Sequence, residues 1–90
     1  MDQASTQVTI INKLGLHARP AMSFVDTASG FKSDIQVTKD GQVVDGKSIM
    51  QLMMLAATAG SELHIEAEGP DAEQAVAALV KLVESKFDEE

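Results

Sequence analysis

The 90-residue chain has no cysteine, tryptophan or tyrosine, and only three phenylalanines and two prolines. Without cysteine, disulfides, thiolate chemistry and cysteine-based zinc sites are excluded, so the fold must stand on packing alone. The scarcity of aromatics leaves no base-stacking platform and no aromatic ligand box. No apolar run approaches membrane-spanning length, and the opening MDQAST lacks the basic and apolar regions of a secretory signal. A cytoplasmic protein with no membrane insertion is expected. Positive charge is also sparse: 14 Asp and Glu against 7 Lys and Arg give a formal net charge of −7. That balance repels phosphate backbones, argues against nucleic acid, and makes a basic protein surface the natural counterpart.

Residues 1–90 suit a single domain with one core. The ends, MDQAS and FDEE, read as frayed termini. Between them the hydrophobic period changes repeatedly. TQVTIIN is rich in β-branched residues, with Val8 and Ile10 on one face, and reads as a strand. From Ala18 the period lengthens, and Ala18, Ala21, Met22, Val25 and Ala28 mark a helical face that Gly30 can end. SDIQVTK alternates again, and an Asp-Gly turn leads through Val43 and Val44 to a hairpin partner. SIMQLMMLAA is dense in Leu, Met and Ala and predicts a helix from Ser48 to a stop at Gly60. SELHIEAE alternates Leu63, Ile65 and Ala67 against polar residues. The last segment predicts a helix capped by Asp71, with Ala75, Val76, Leu79, Leu82 and Val83 inward. Strand, helix, strand, strand, helix, strand, helix, with one wet face per strand, predicts an α+β two-layer sandwich: helices on one side of an open, mainly antiparallel sheet.

In GLHARPA, His17 falls at the first helix start, followed by Ala18, Arg19 and Pro20. Pro20 costs no intrahelical bond there, because first-turn amides have no partner within the helix. Those amides, the positive end of the helix dipole and a guanidinium suit an oxyanion. The same setting disfavours a second proton on the imidazole, leaving a ring nitrogen able to attack an electrophile near neutral pH. Amides and Arg19 could then hold a transferring phosphoryl group, which depends mainly on positioning and electrostatics. Taken alone, His-x-Arg-Pro is more often a capping or surface arrangement than a reactive one.

Ser48 poses the same question at the second helix start. As N-cap it satisfies a first-turn amide whatever else it does, and a phosphate there would add charge to an interaction surface. Leu52, Leu55 and Ala56 share one helical face, while Met50, Met53 and Met54 cover much of the rest. They cannot all be buried, and an exposed methionine patch suits docking on several partners. His64 reads as a surface residue of the wet sheet face, Asp71 with Gln74 as capping, and no metal site or cofactor is expected.

GLHARPA before the first helix and GKSIMQLMMLA at the second, in a chain of this length and element order, together resemble the histidine-containing phosphocarrier (HPr) family of the bacterial phosphoenolpyruvate-dependent sugar phosphotransferase system. The resemblance covers essentially the whole chain. It implies an open-faced β-sandwich, a four-stranded antiparallel sheet with three helices on one face. It further implies a carrier, not an enzyme, phosphorylated at His17 on Nδ1 by phospho-enzyme I and discharged to enzyme IIA domains. Arg19 matches the arginine beside that histidine, and Ser48 the regulatory serine of an HPr kinase/phosphorylase, with a catabolite-control regulator as a further partner. Ala18, Pro20, Ala21, Met22, Ile49, Met50 and Met53 fall on or near the family's docking surface. A monomer is expected. A nitrogen-type phosphotransfer paralogue, a small acidic acyl-carrier-like protein and a non-catalytic interaction module are the alternatives.

Overall fold

The tightest local signal, Asp40-Gly41, does what its sequence requires: both residues take positive φ, 51° and 84°, the combination that lets a two-residue turn match strand twist. The computed structural model, which describes residues 2–88, places β2 (Asp34–Lys39) and β3 (Gln42–Asp45) on either side of it. β1 (Gln3–Thr9) and β4 (Glu62–Glu68) complete one antiparallel sheet in the order β1-β4-β2-β3. Helices α1 (Ala18–Ser29), α2 (Ile49–Met54) and α3 (Ala72–Glu84) are followed by a 3-10 turn at Lys86–Asp88. This is the α+β open-faced sandwich expected. Among the described residues no helix is long and apolar enough to cross a membrane.

Strand alternation decides where the core lies. Val8, Leu63, Ile65, Ala67, Ile35, Val37 and Val44 are buried in one cluster with Phe24, Leu52, Leu79 and Val83 from the three helices. The opposite face carries Gln3, Ser5 and Gln7 beside Glu68, Glu66 and His64, then Asp34, Gln36 and Thr38, by the pairing register. His64 therefore sits on the wet face, between Gln7 and Thr38.

Several local expectations are corrected. β1 starts at Gln3, not after a frayed MDQAS, because β4 offers pairing along its whole length and Gln3 Nε2 donates to Glu66 Oε2 at 2.6 Å; Met1 lies outside the described residues. The buried stripe of α1 is Pro20, Ala21, Phe24 and Ala28, while Met22 and Ala18 face out. Phe24 is the largest apolar side chain of that helix, and burying it outweighs the alternative stripe. At the other terminus Phe87 belongs to the core, so FDEE is not simply a solvated tail; Glu89 and Glu90 lie outside the described residues.

Asp71 occupies the N-cap position of α3, yet its side chain makes no capping bond. Its Oδ1 instead accepts from the Ser33 amide at 2.9 Å and the Ser33 hydroxyl at 2.6 Å, and its Oδ2 accepts from the Lys32 amide at 2.9 Å. Ser33 is buried, and its amide has no strand partner there, so a distant carboxylate serves the α1–β2 loop instead of its own helix. The Ser33 hydroxyl, with the two amides, holds the Asp71 carboxyl below its ordinary value of 3.8. A depressed carboxylate contributes its stability above the unfolded value and loses it as pH falls through the folded one. Asp71→Asn should therefore melt below the wild type at neutral pH, with the gap closing below pH 3.8. Melting curves by circular dichroism across that range test it, and a pH-independent gap would exclude a role for the charge.

Candidate functional site

The loop that delivers His17 is built on Asn12 and Gly15. Asn12 is buried, and its Nδ2 donates to the Gly15 carbonyl at 2.7 Å while the Gly15 amide returns to the Asn12 carbonyl at 3.2 Å. Gly15 has φ 74°, and a Cβ there would sit 2.4 Å from the Ala57 carbonyl oxygen and 2.8 Å from the Thr58 Cα. Both neighbours are backbone, so no side chain could make room. The next amide, of Leu16, donates to that same Ala57 carbonyl at 2.8 Å. This junction also explains why α2 stops at Met54 rather than running to Gly60. Ala56 takes φ 51°, turning the chain so that Ala57 can meet Leu16. Ala56 is consequently exposed instead of sharing the buried face of Leu52 and Leu55.

From this clamp the chain enters α1 with His17 as extended N-cap, φ −91° and ψ −166°, and the Ala21 amide donates to the His17 carbonyl at 2.9 Å. The imidazole does not cap the helix and is half-buried. Arg19 is exposed in the first turn, where the amides of Ala18 and Arg19 precede the first intrahelical bond. Pro20 follows at a position that needs no donor, and its ring is buried.

Ser48 is the N-cap of α2: its Oγ accepts from the Gln51 amide at 3.2 Å, and its carbonyl from the Leu52 amide at 3.0 Å. The structural role expected for it is therefore present. Lys47 Nζ donates to the Phe31 carbonyl at 2.9 Å, beyond the C-terminal end of α1. With Leu16 bonded to Ala57 at the other end, α2 runs opposite to α1. His17 thus lies by the end of α2, and Ser48 about 9 Å of helix away at its beginning.

Of the seven residues expected on the docking surface, Ala18, Met22, Ile49, Met50 and Met53 are exposed, whereas Pro20 and Ala21 are buried and their side chains unavailable to a partner. Met54 joins the exposed apolar set with the other α2 methionines, as do Ile11 and Leu14, which were not expected because periodicity cannot orient loop residues. Leu14, three residues before His17, is 73 % exposed. Asn12 and Gly15 were equally missed as positioning residues; the signal was N-K-L-G, with Asn and Gly at the ends of a turn.

Charge is distributed unevenly. None of the 14 carboxylates lies in residues 3–25 or 46–61, the segments that contain the two helix starts, while Lys13, Arg19 and Lys47 do. These two segments are basic although the chain as a whole is acidic. A concavity of about 510 Å³ lies elsewhere, on the wet sheet face, lined by Gln3, Asp34, Gln36, Asp45, Glu66 and Glu68 among others.

An exposed helix start bearing a histidine and an arginine, in a segment without carboxylates and away from the acidic concavity, has the form of a carrier that offers one side chain to larger partners. Comparison with known proteins names the class. The chain belongs to the HPr family of the phosphotransferase system: residues 4–85 match the family described as PTS HPr component phosphorylation site. It is 51 % identical over 82 residues to phosphocarrier protein HPr of Neisseria meningitidis, covering 91 % of this chain and 92 % of that one. It is 40 % identical over 84 residues to phosphocarrier protein NPr of Escherichia coli, covering 92 % and 93 %. An HPr structure from Thermoanaerobacter tengcongensis superposes with a TM-score of 0.93 at 52 % identity, covering 97 % of this chain and 98 % of that one, and an HPr dimer from the same organism is also similar, at 0.78 and 54 % over 91 % and 94 %. The family consists of phosphocarriers, not catalysts.

Gly15→Ala should lower stability by about 2 kcal/mol or more, since a positive φ and a backbone clash add. The backbone amide resonances of His17, Ala18 and Ala57 should shift together. A variant with wild-type stability and spectrum would show that the clamp is not needed.

Proposed function

We propose that His17 accepts a phosphoryl group on Nδ1 from phospho-enzyme I and passes it to an enzyme IIA domain of a sugar uptake system. The ring nitrogen attacks phosphorus as the bond to the donor breaks, and the reverse exchange discharges it on the acceptor. The free first-turn amides of Ala18 and Arg19 and the Arg19 guanidinium hold the phosphoryl oxygens. The observation that carries this reading is an N-cap histidine with Arg19 in the first turn, in a stretch, residues 3–25, without a carboxylate although the chain is acidic. A carboxylate about 5 Å from a phosphoryl dianion would cost on the order of 2–7 kcal/mol between water-like and protein-like dielectric, so a first helical turn and preceding loop without Asp or Glu favour the phosphorylated state. Ala18, Met22, Ile49, Met50 and Met53 serve as the apolar docking face, and partner surfaces that are apolar with acidic rims fit it better than the basic surface suggested by net charge.

The higher identity to HPr than to NPr supports the sugar branch over the nitrogen branch. Ser48 is the second phosphorylation site in this reading, modified by an HPr kinase/phosphorylase, and its phosphate would be read by a catabolite-control regulator. The transfer-competent form is a monomer, because successive partners need the His17 face open.

Incubation with phosphoenolpyruvate and enzyme I should label the protein with an acid-labile, alkali-stable phosphate that His17→Ala abolishes. Label surviving in that variant overturns the assignment, and discharge to a nitrogen-type but not a sugar-type enzyme IIA overturns the branch. Arg19→Ala should slow phosphorylation about 10- to 100-fold, the weight of one charged donor on a transferring group. For Ser48, an ATP-dependent kinase should leave acid-stable phosphate that Ser48→Ala removes. That substitution alone should cost about 1 kcal/mol of stability through loss of the cap.

A further inference from the structure

Methionine is ordinarily among the most buried residue types, yet all four methionines among the described residues are exposed: Met22 at 51 %, Met50 at 77 %, Met53 at 44 % and Met54 at 66 %. The buried cluster is built of Val, Ile, Leu, Ala and Phe, without methionine. On α2, Met50, Met53 and Met54 stand at i, i+3 and i+4, which gathers three thioethers on an outward arc of about 100°. α2 packs against α1, which bears Met22, and its C-terminal end lies beside His17 through the Leu16–Ala57 bond. The chain offers an oxidant no cysteine, tryptophan or tyrosine. Among the described residues the reactive sulfur is thus confined to one surface, and none of it lies in the buried cluster.

We infer that Met50, Met53 and Met54 form an oxidation site, through which a peroxide-class two-electron oxidant reversibly switches off phosphoryl transfer. In the modifying step the thioether sulfur attacks one oxygen of hydrogen peroxide. An S–O bond forms as the O–O bond breaks, sulfur loses two electrons, peroxide gains them, and the second oxygen leaves as water. Each sulfoxide replaces an apolar, pliable side chain with a strong, fixed acceptor dipole. A partner that buries this arc against apolar surface must then desolvate up to three acceptors without supplying donors. Oxidation weakens docking while the core stays intact, and thiol-dependent reduction of the sulfoxides restores it. The inference rests on the reading of this face as the docking face.

The test uses the full chain treated with graded hydrogen peroxide. Oxygen additions are counted by mass spectrometry, at about 16 Da each. Transfer from phospho-enzyme I and the thermal transition by circular dichroism are measured on the same samples. Oxidation of the three α2 methionines should slow transfer tenfold or more with an unchanged melting temperature, and methionine sulfoxide reductase should restore the rate. A variant with Met50→Leu, Met53→Leu and Met54→Leu, whatever its own starting rate, should keep that rate after peroxide. Full transfer by the oxidised wild type overturns the inference, as does equal inhibition of the triple variant or a fall in melting temperature that accounts for the loss. If the untreated wild type takes no label on His17, the carrier reading itself fails and the switch with it, an outcome distinct from the others.

Discussion

The approach of Gly15 to Ala57 is the constraint on which the working surface depends. Two backbones meet there with no room for a side chain, and the Leu16 amide closes the contact with a hydrogen bond to Ala57. The contact ends α2, forces Ala56 into a left-handed turn, and sets the extended conformation from which His17 enters α1. A histidine at a helix start is useful for phosphoryl transfer only if its position is determined to a fraction of an ångström. A half-buried side chain in an unsupported loop would not meet that demand.

The remaining surface divides by function. Carboxylates occupy the wet sheet face, α3 and the outer part of α1, and are missing from the segments around His17. Among the described residues methionines occupy the outward side of α1 and α2 and are missing from the core. A carrier that must meet a donor and then an acceptor needs a surface that adapts and releases, and unbranched thioethers suit that better than rigid aromatics, of which this chain has only three. Stability is left to the layer between sheet and helices, where Phe24 and the aliphatic residues of β2 and β4 are fully enclosed.

Much of this was legible in the residues. The hairpin followed from Asp40-Gly41, β4 from the alternation through Leu63, Ile65 and Ala67, and both helix starts from residues suited to the N-cap position. What was misread depends on contacts distant in sequence. Gln3–Ser5 look like a frayed end until β4 pairs with them; Asp71 looks like a cap until Ser33, 38 residues earlier, claims its carboxylate. Pro20 and Ala21 share the first turns with exposed residues and are nonetheless turned inward by the burial of Phe24.

By itself the sequence determined the element types, the α+β layering and the two helix starts, because these depend on the period of apolar residues and on local backbone chemistry within a few positions. The resemblance of GLHARPA and GKSIMQLMMLA to HPr pointed to His17 for the same reason, since a short motif keeps its residues together. Only the tertiary structure decided which residues stand around that histidine. The clamp at Gly15, the reversed course of α2 and the exposure of Leu14 and Met54 all arise where segments some forty residues apart are brought together. No local pattern encodes the distance between two backbones.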